Sequence, residues 1–148
     1  MNKSPFIIGL NSKGAPDIDQ HITVKLLPLN LQAMNASFTH SSDSSLTLTM
    51  PITPDLSQHT GVAQGGVLCL IAETVASMAA ALCYPPNTAV VGTSLSAVYF
   101  KGCRGQAVAT AEPLSVGRSS TTWSVKLEDG EGKHCAQFTF SGKPLTSR

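Results

Sequence analysis

Residues 59–84 read HTGVAQGGVLCLIAETVASMAAALCY, and the fold depends on how that run is taken. It opens on a glycine-punctuated turn, Gly61 and then Gly65-Gly66. Ala, Leu, Val, Ile, Met and Cys fill most of the stretch beyond that turn, which predicts a helix from about Gly66 to Cys83. A helix that is apolar all round is usually buried rather than laid on a surface. Its one charged residue, Glu73, sits in the middle, with Cys69 four residues before it and Ser77 four after. That spacing puts the three on one helical face. A carboxylate there is costly unless it is paired, hydrogen-bonded or open to a ligand cavity. Two plainer readings stand beside a functional one. The run approaches the length of a membrane span, although a mid-span charge argues against that. Alternatively, this is a core helix in which Glu73 pairs with a distant Arg or Lys.

The rest of the composition narrows the class. A chain of 148 residues suggests one domain, 1–148, with a real core. Charged residues make up only 13% of it, which suits burial in an oligomer. A net charge of +1 implies no broad basic face for duplex nucleic acid. Four cysteines, Cys69, Cys83, Cys103 and Cys135, have no CxxC spacing. They read as reduced core thiols of a cytoplasmic protein, not a disulfide framework or a zinc site. His21, His40, His59 and His134 show no metal-ligand spacing, so no metal is expected. The N-terminal MNKSPFIIGLNSKG has too short an apolar patch for a signal peptide.

Residues 1–32 form an N-terminal extension in which Asp17 to Leu26 is read as a short helix closed by Pro28. From Asn35 the period changes to two. Residues 36–39 and Ser44 to Met50 predict a hairpin, with Leu46, Leu48 and Met50 on its buried face. After the helix, Tyr84-Pro85-Pro86 is a stop. Four strands are then expected in a meander: Ala89 to Phe100, Gln106 to Leu114, Ser120 to Leu127 and His134 to Phe140. Alanines 107, 109 and 111 are small enough for close packing against a helix. Trp123, Val125 and Leu127, then Ala136, Phe138 and Phe140, face inward. Residues from Gly142 on, with 143–148 as a C-terminal tail, are expected to fray. One long helix buried by an antiparallel sheet is an α+β solution. The open sheet edges invite pairing with a second copy.

The segment Gln58-His59-Thr60-Gly61-Val62-Ala63-Gln64-Gly65-Gly66, with Glu73 seven residues on, resembles the hotdog-fold acyl-CoA thioesterases. More narrowly, it looks like the phenylacetate-type and 4-hydroxybenzoyl-CoA thioesterase branch, which carries its acid on the central helix. Leu114 to Ser120 and the Asp129-Gly130 to Lys133 hairpin resemble the same family, so the likeness covers roughly residues 33–142. It implies a hotdog fold. Where the family usually has His before Gly-Gly, this chain has Gln64, which keeps donor and acceptor capacity.

The resemblance also implies a mechanism. The thioester carbonyl would sit at the N-terminus of the central helix, where unpaired N–H groups can stabilise an oxyanion. Gly65 and Gly66 would supply that donor region and Gln58 a second polar contact. Glu73 would attack the carbonyl or activate water, and Ser77 would hydrogen-bond Glu73 or position the water. His59 and Gln64 are candidates for ligand contact from the loop. Lys101, Arg104 and Arg118 are candidates for coenzyme A phosphates, with ordinary exposed turn charges as the plain alternative. Ser119, Ser120 and Thr121 are candidates from a neighbouring subunit. The implied substrate is a small, medium or aromatic acyl-CoA. Coenzyme A is part of that substrate, so no separate cofactor is expected, and neither nucleic acid nor membrane is a partner. The expected assembly is a dimer or a dimer of dimers, a homotetramer. A non-enzymatic acyl-CoA or lipid-binding hotdog protein is the alternative, since fold alone does not choose.

Overall fold

The computed structural model describes residues 27–42, 44–85 and 88–146. The helix expected over Asp17 to Leu26 lies outside them. A short helix α1 (Leu29–Ala33) is followed by the hairpin β1 (Ser37–Ser41) and β2 (Leu46–Pro51). A 3-10 turn, Pro54–Leu56, leads into the long helix α2 (Gly65–Ala81). Strands β3 (Thr88–Tyr99), β4 (Gln106–Val116), β5 (Thr121–Asp129) and β6 (His134–Thr146) complete one antiparallel six-stranded sheet.

The sheet curves around α2, giving the expected α+β hotdog layout. Period-two patterning decides which side of each strand meets the helix. Leu46, Leu48 and Met50, Ala107, Ala109 and Ala111, Trp123, Val125 and Leu127, and Ala136, Phe138 and Phe140 are all fully buried. On the helix, Leu68, Ile71, Ala72, Val75, Ala76, Ala79 and Ala80 face them. Ala76 and Ala80 are therefore core residues. The alanine column of β4 leaves room for the helix backbone to come close.

Three expectations are corrected. The strand order is β1-β2-β4-β5-β6-β3, not a four-strand meander after the helix. β4 leaves β3 and pairs with β2, while β3 lies at the far edge against β6. The chain does not fray after Phe140. β6 continues to Thr146 because the long β3 offers it partners, Gly92 opposite Gly142, Val90 opposite Pro144 and Thr88 opposite Thr146. The helix stops at Ala81 rather than Cys83. There the Cys83 and Tyr84 N–H groups turn back to the Ala80 and Ala81 carbonyls, and the Tyr84 hydroxyl donates to the Gly117 carbonyl at 2.7 Å.

The two sheet edges differ. β1 is short, which blunts an edge. β3 runs 12 residues, and Val91, Val98 and Tyr99 along it, with Phe100 just beyond, are exposed. No helix of the described residues is long and apolar enough to cross a membrane.

Candidate active site

The start of α2 is built by a docked loop. The Gln58 N–H bonds to the Val62 carbonyl and the Gly61 N–H to the Gln58 carbonyl, both at 2.8 Å. Gly61 adopts φ 77°, a left-handed conformation that suits glycine. The loop rests on the turn between β3 and β4. Arg104 donates to the Thr60 carbonyl at 2.9 Å, and the Ala63 N–H donates to the Cys103 carbonyl at 2.8 Å. Gln64 is the N-cap, in extended backbone, with no side-chain cap bond. Its carbonyl accepts from Val67 and Leu68. Among the described residues no backbone or side-chain acceptor takes the Gly65 or Gly66 N–H. These are the free donors that a helix start presents, and Gly66 is exposed with open space where a side chain would be.

Glu73 lies along the same helix, on a half-exposed stripe with Cys69 and Ser77. The Ser77 hydroxyl points at Glu73 Oε1 from 3.5 Å, a long contact by hydrogen-bond standards. Neither ion pair of the described residues involves Glu73. The reading of a core helix with Glu73 tied to a distant cation thus finds no support there. The wall opposite is Gly92 of β3. A Cβ at Gly92 would lie 3.5 Å from Glu73 Oε1 and 3.1 Å from the Phe140 ring. A side chain at that position would be in ordinary contact with the carboxylate and in tight contact with the ring.

Tyr99, at the end of β3, is a neighbour that sequence reading missed. Its hydroxyl donates to the Gly65 carbonyl at 3.0 Å and lies 3.1 Å from Cys69 Sγ. Its ring stands edge-on to Phe138. The residue is half exposed, but partial desolvation of its hydroxyl, reinforced by the Cys69 contact, pushes the phenol up to about 12. The only sequence signal was its place on one face of β3 with Leu95 and Ala97.

The other expected residues separate into two ends. Gln58, His59 and Gln64 are exposed around the helix start. Lys101 and Arg104 line an open cleft of about 690 Å³ beside that loop, together with Lys133 and the carboxylates of Asp129 and Glu131. Lys133 is occupied by Glu131 at 3.0 Å. Arg118, Ser119 and Ser120 are exposed in the β4–β5 turn, which Tyr84 ties to the opposite end of α2. Within one chain they stand at the end of α2 away from the loop of Gln58 to Gln64. Thr121 is fully buried. Its hydroxyl accepts from Trp123 Nε1 at 2.6 Å and donates to the Ser115 carbonyl, so it is a core residue in this chain. Among the described residues no group of three His, Cys, Asp or Glu side chains is placed to hold a metal ion.

The model of a family described as the thioesterase superfamily matches residues 60–136, which take in most of the docked loop, Glu73, Gly92 and Tyr99. The chain belongs to that superfamily. With relatives that are thioesterases and hydrolases, it is a thioester hydrolase. It is 30% identical to the proofreading thioesterase EntH of Cronobacter turicensis over 128 residues, 82% of this chain and 93% of that protein. It is 29% identical to the 1,4-dihydroxy-2-naphthoyl-CoA hydrolase of Escherichia coli, over 69% of this chain and 76% of that one. A mutant of thioesterase PA1618 from Pseudomonas aeruginosa superposes with a TM-score of 0.76 at 28% identity, covering 88% of this chain and 96% of that one.

Proposed function

We propose that this thioesterase hydrolyses an acyl-CoA, with Glu73 as its catalytic carboxylate and the start of α2 as its oxyanion site. The observation that carries the reading is Glu73 itself. It is a half-exposed carboxylate with no ion pair among the described residues, on a helix whose opposite face is buried and whose first N–H groups are free. A thioester carbonyl laid against Gly65 and Gly66 would have its developing charge met by those N–H groups and by the helix dipole. Glu73 then either takes a proton from a water that attacks the carbonyl carbon, or attacks it itself, in which case water afterwards cleaves the resulting mixed anhydride to release the acid and restore Glu73. The C–S bond breaks, and the coenzyme A thiolate leaves and is protonated. Ser77 orients Glu73, and Gln58 contacts the thioester.

Lys101 and Arg104 line a cleft beside the same loop, and their charge suits the phosphates of coenzyme A. Arg118, Ser119 and Ser120 stand at the other end of the helix, so they serve the site of a second subunit. The exposed, apolar edge of β3 supports that assembly: two copies joined there would continue the sheet and cover Val98 and Tyr99. The functional unit is a dimer, or a homotetramer made of two, and its compartment is the cytoplasm. The hydrolase of 1,4-dihydroxy-2-naphthoyl-CoA among its relatives supports an aromatic acyl group over a long aliphatic one.

The test is hydrolysis of a panel of aryl and aliphatic acyl-CoAs, with free thiol as the readout, for the wild type and Glu73→Gln side by side. Turnover on an aryl-CoA that falls by about three orders of magnitude in the variant is expected. A folded wild type that cleaves no acyl-CoA would sink the reading.

A further inference from the structure

We infer that Tyr99 is a positioning residue, fixing the Gly65–Gly66 peptide so that the Gly66 N–H points at the thioester oxygen. The inference rests on the oxyanion site proposed above and adds a part to it. The carbonyl of Gly65 and the N–H of Gly66 belong to one planar trans peptide. They point in opposite directions, so whatever holds the oxygen aims the hydrogen. Tyr99 holds the oxygen from outside the helix, donating to it at 3.0 Å beside the bond that the helix itself makes to that carbonyl. The Gly66 end of the same peptide has no acceptor among the described residues, and beyond its own turn of helix nothing comes within 4 Å of where a Gly66 Cβ would stand.

The direction of the hydrogen bonds is set by the inventory of protons. The phenol has one hydrogen, which goes to the Gly65 oxygen. The 3.1 Å contact with Cys69 is then a thiol donating to the phenol oxygen. This gives a chain from the Cys69 S–H to the Tyr99 O–H to the Gly65 carbonyl, with the Gly66 N–H beyond it. Bonds in such a chain polarise one another, which makes the terminal N–H a better donor. The phenol keeps its proton throughout the working range, since its ionisation is pushed up to about 12. Gly65 is part of the device. A Cβ there would lie 3.2 Å from the Tyr99 hydroxyl, tighter than most side-chain contacts, and would push the phenol off the carbonyl. The ring itself is fixed edge-on to Phe138 with centroids 6.0 Å apart.

Tyr99→Phe removes the hydroxyl and keeps the ring. Turnover of the best acyl-CoA from the panel should show kcat lower by about ten-fold with KM within about two-fold. The second readout is the infrared band of the thioester carbonyl of benzoyl-CoA, isotopically labelled at that carbon and bound to Glu73→Gln. Adding Tyr99→Phe should move the band to higher wavenumber, as a weaker hydrogen bond does. Placing 3-fluorotyrosine at position 99, a stronger donor with the ring kept, should move it lower. That arm stands even where Tyr99→Phe folds poorly. An unchanged kcat, or a band that moves with neither substitution, overturns the role of Tyr99. Wild-type turnover in the same assay keeps that failure separate from failure of the thioesterase reading.

Discussion

Gly92 and Glu73 face each other across the edge of the sheet, with the carboxylate oxygen 3.5 Å from where a Gly92 side chain would begin. The same Cβ would press on Phe140 at 3.1 Å, so there is no slack on the other side. Gly92→Ala is therefore expected to press first on the Phe140 ring, and the new methyl, held by that ring, shifts a few tenths of an ångström into the space beside the carboxylate. Misplacing a reacting group by an ångström can cost two orders of magnitude, and a few tenths should cost about ten-fold in kcat. Steady-state kinetics beside a thermal melt would check this. An unchanged melt with slower turnover locates the effect at Glu73, and unchanged turnover would show that the acid does not depend on that wall.

The edge of β3 is expected to be an interface. Val98 is 57% exposed in one chain, next to Tyr99 and Phe100. Val98→Asp puts a charge where a second copy would pack. Sedimentation at micromolar concentration should shift from dimer to monomer, and turnover should fall with it. A dimer that survives with full activity would place the contact elsewhere.

The alanine column of β4 sets how close the helix comes. Ala109 is fully buried, so Ala109→Leu overfills the space between sheet and helix. Such changes typically cost about 1–3 kcal/mol. Denaturant unfolding should show stability falling by that amount, through a lower midpoint with its slope unchanged.

Two buried thiols give the fold an alkaline limit. Burial pushes Cys83 and Cys103 from 9.0 up to about 12. In the unfolded chain they ionise near the lower value, so between the two the unfolded state binds fewer protons. Their contribution to stability is then full below pH 9 and falls as pH rises toward 12. Melting temperatures measured upward from about pH 8 should decline across that window. Cys83→Ala with Cys103→Ala should flatten the decline.

Much of this fold was legible because its strands have one buried side. The triplets at Leu46, Leu48 and Met50, and at Trp123, Val125 and Leu127, announce period two, and burial follows it. The glycine turn and Glu73 announced the site. The pairing of β3 with β6 did not show. Its closing stretch, Gly142-Lys143-Pro144, contains poor strand formers, and only a distant partner makes it a strand. Tyr99 was silent for a similar reason, because the carbonyl it holds lies 34 residues away in sequence. Thr121 looked like a surface hydroxyl in a serine-rich turn. Period two in fact sets it on the inward face with Trp123, so its burial was legible in the strand and was obscured only by grouping it with the exposed serines beside it.

The far-edge position of β3 also sets the order in which this protein can mature. β3 follows the helix directly, yet its only strand partner among the described residues is β6, the last strand of the sheet. A nascent chain leaving the ribosome therefore carries β3 and the Glu73 side of the helix uncovered until that strand emerges. Closure is then a long-range event, slow by topology and open to wrong partners while it waits. Chaperone demand and aggregation during synthesis should concentrate in that interval, between the appearance of Thr88 and the docking of β6.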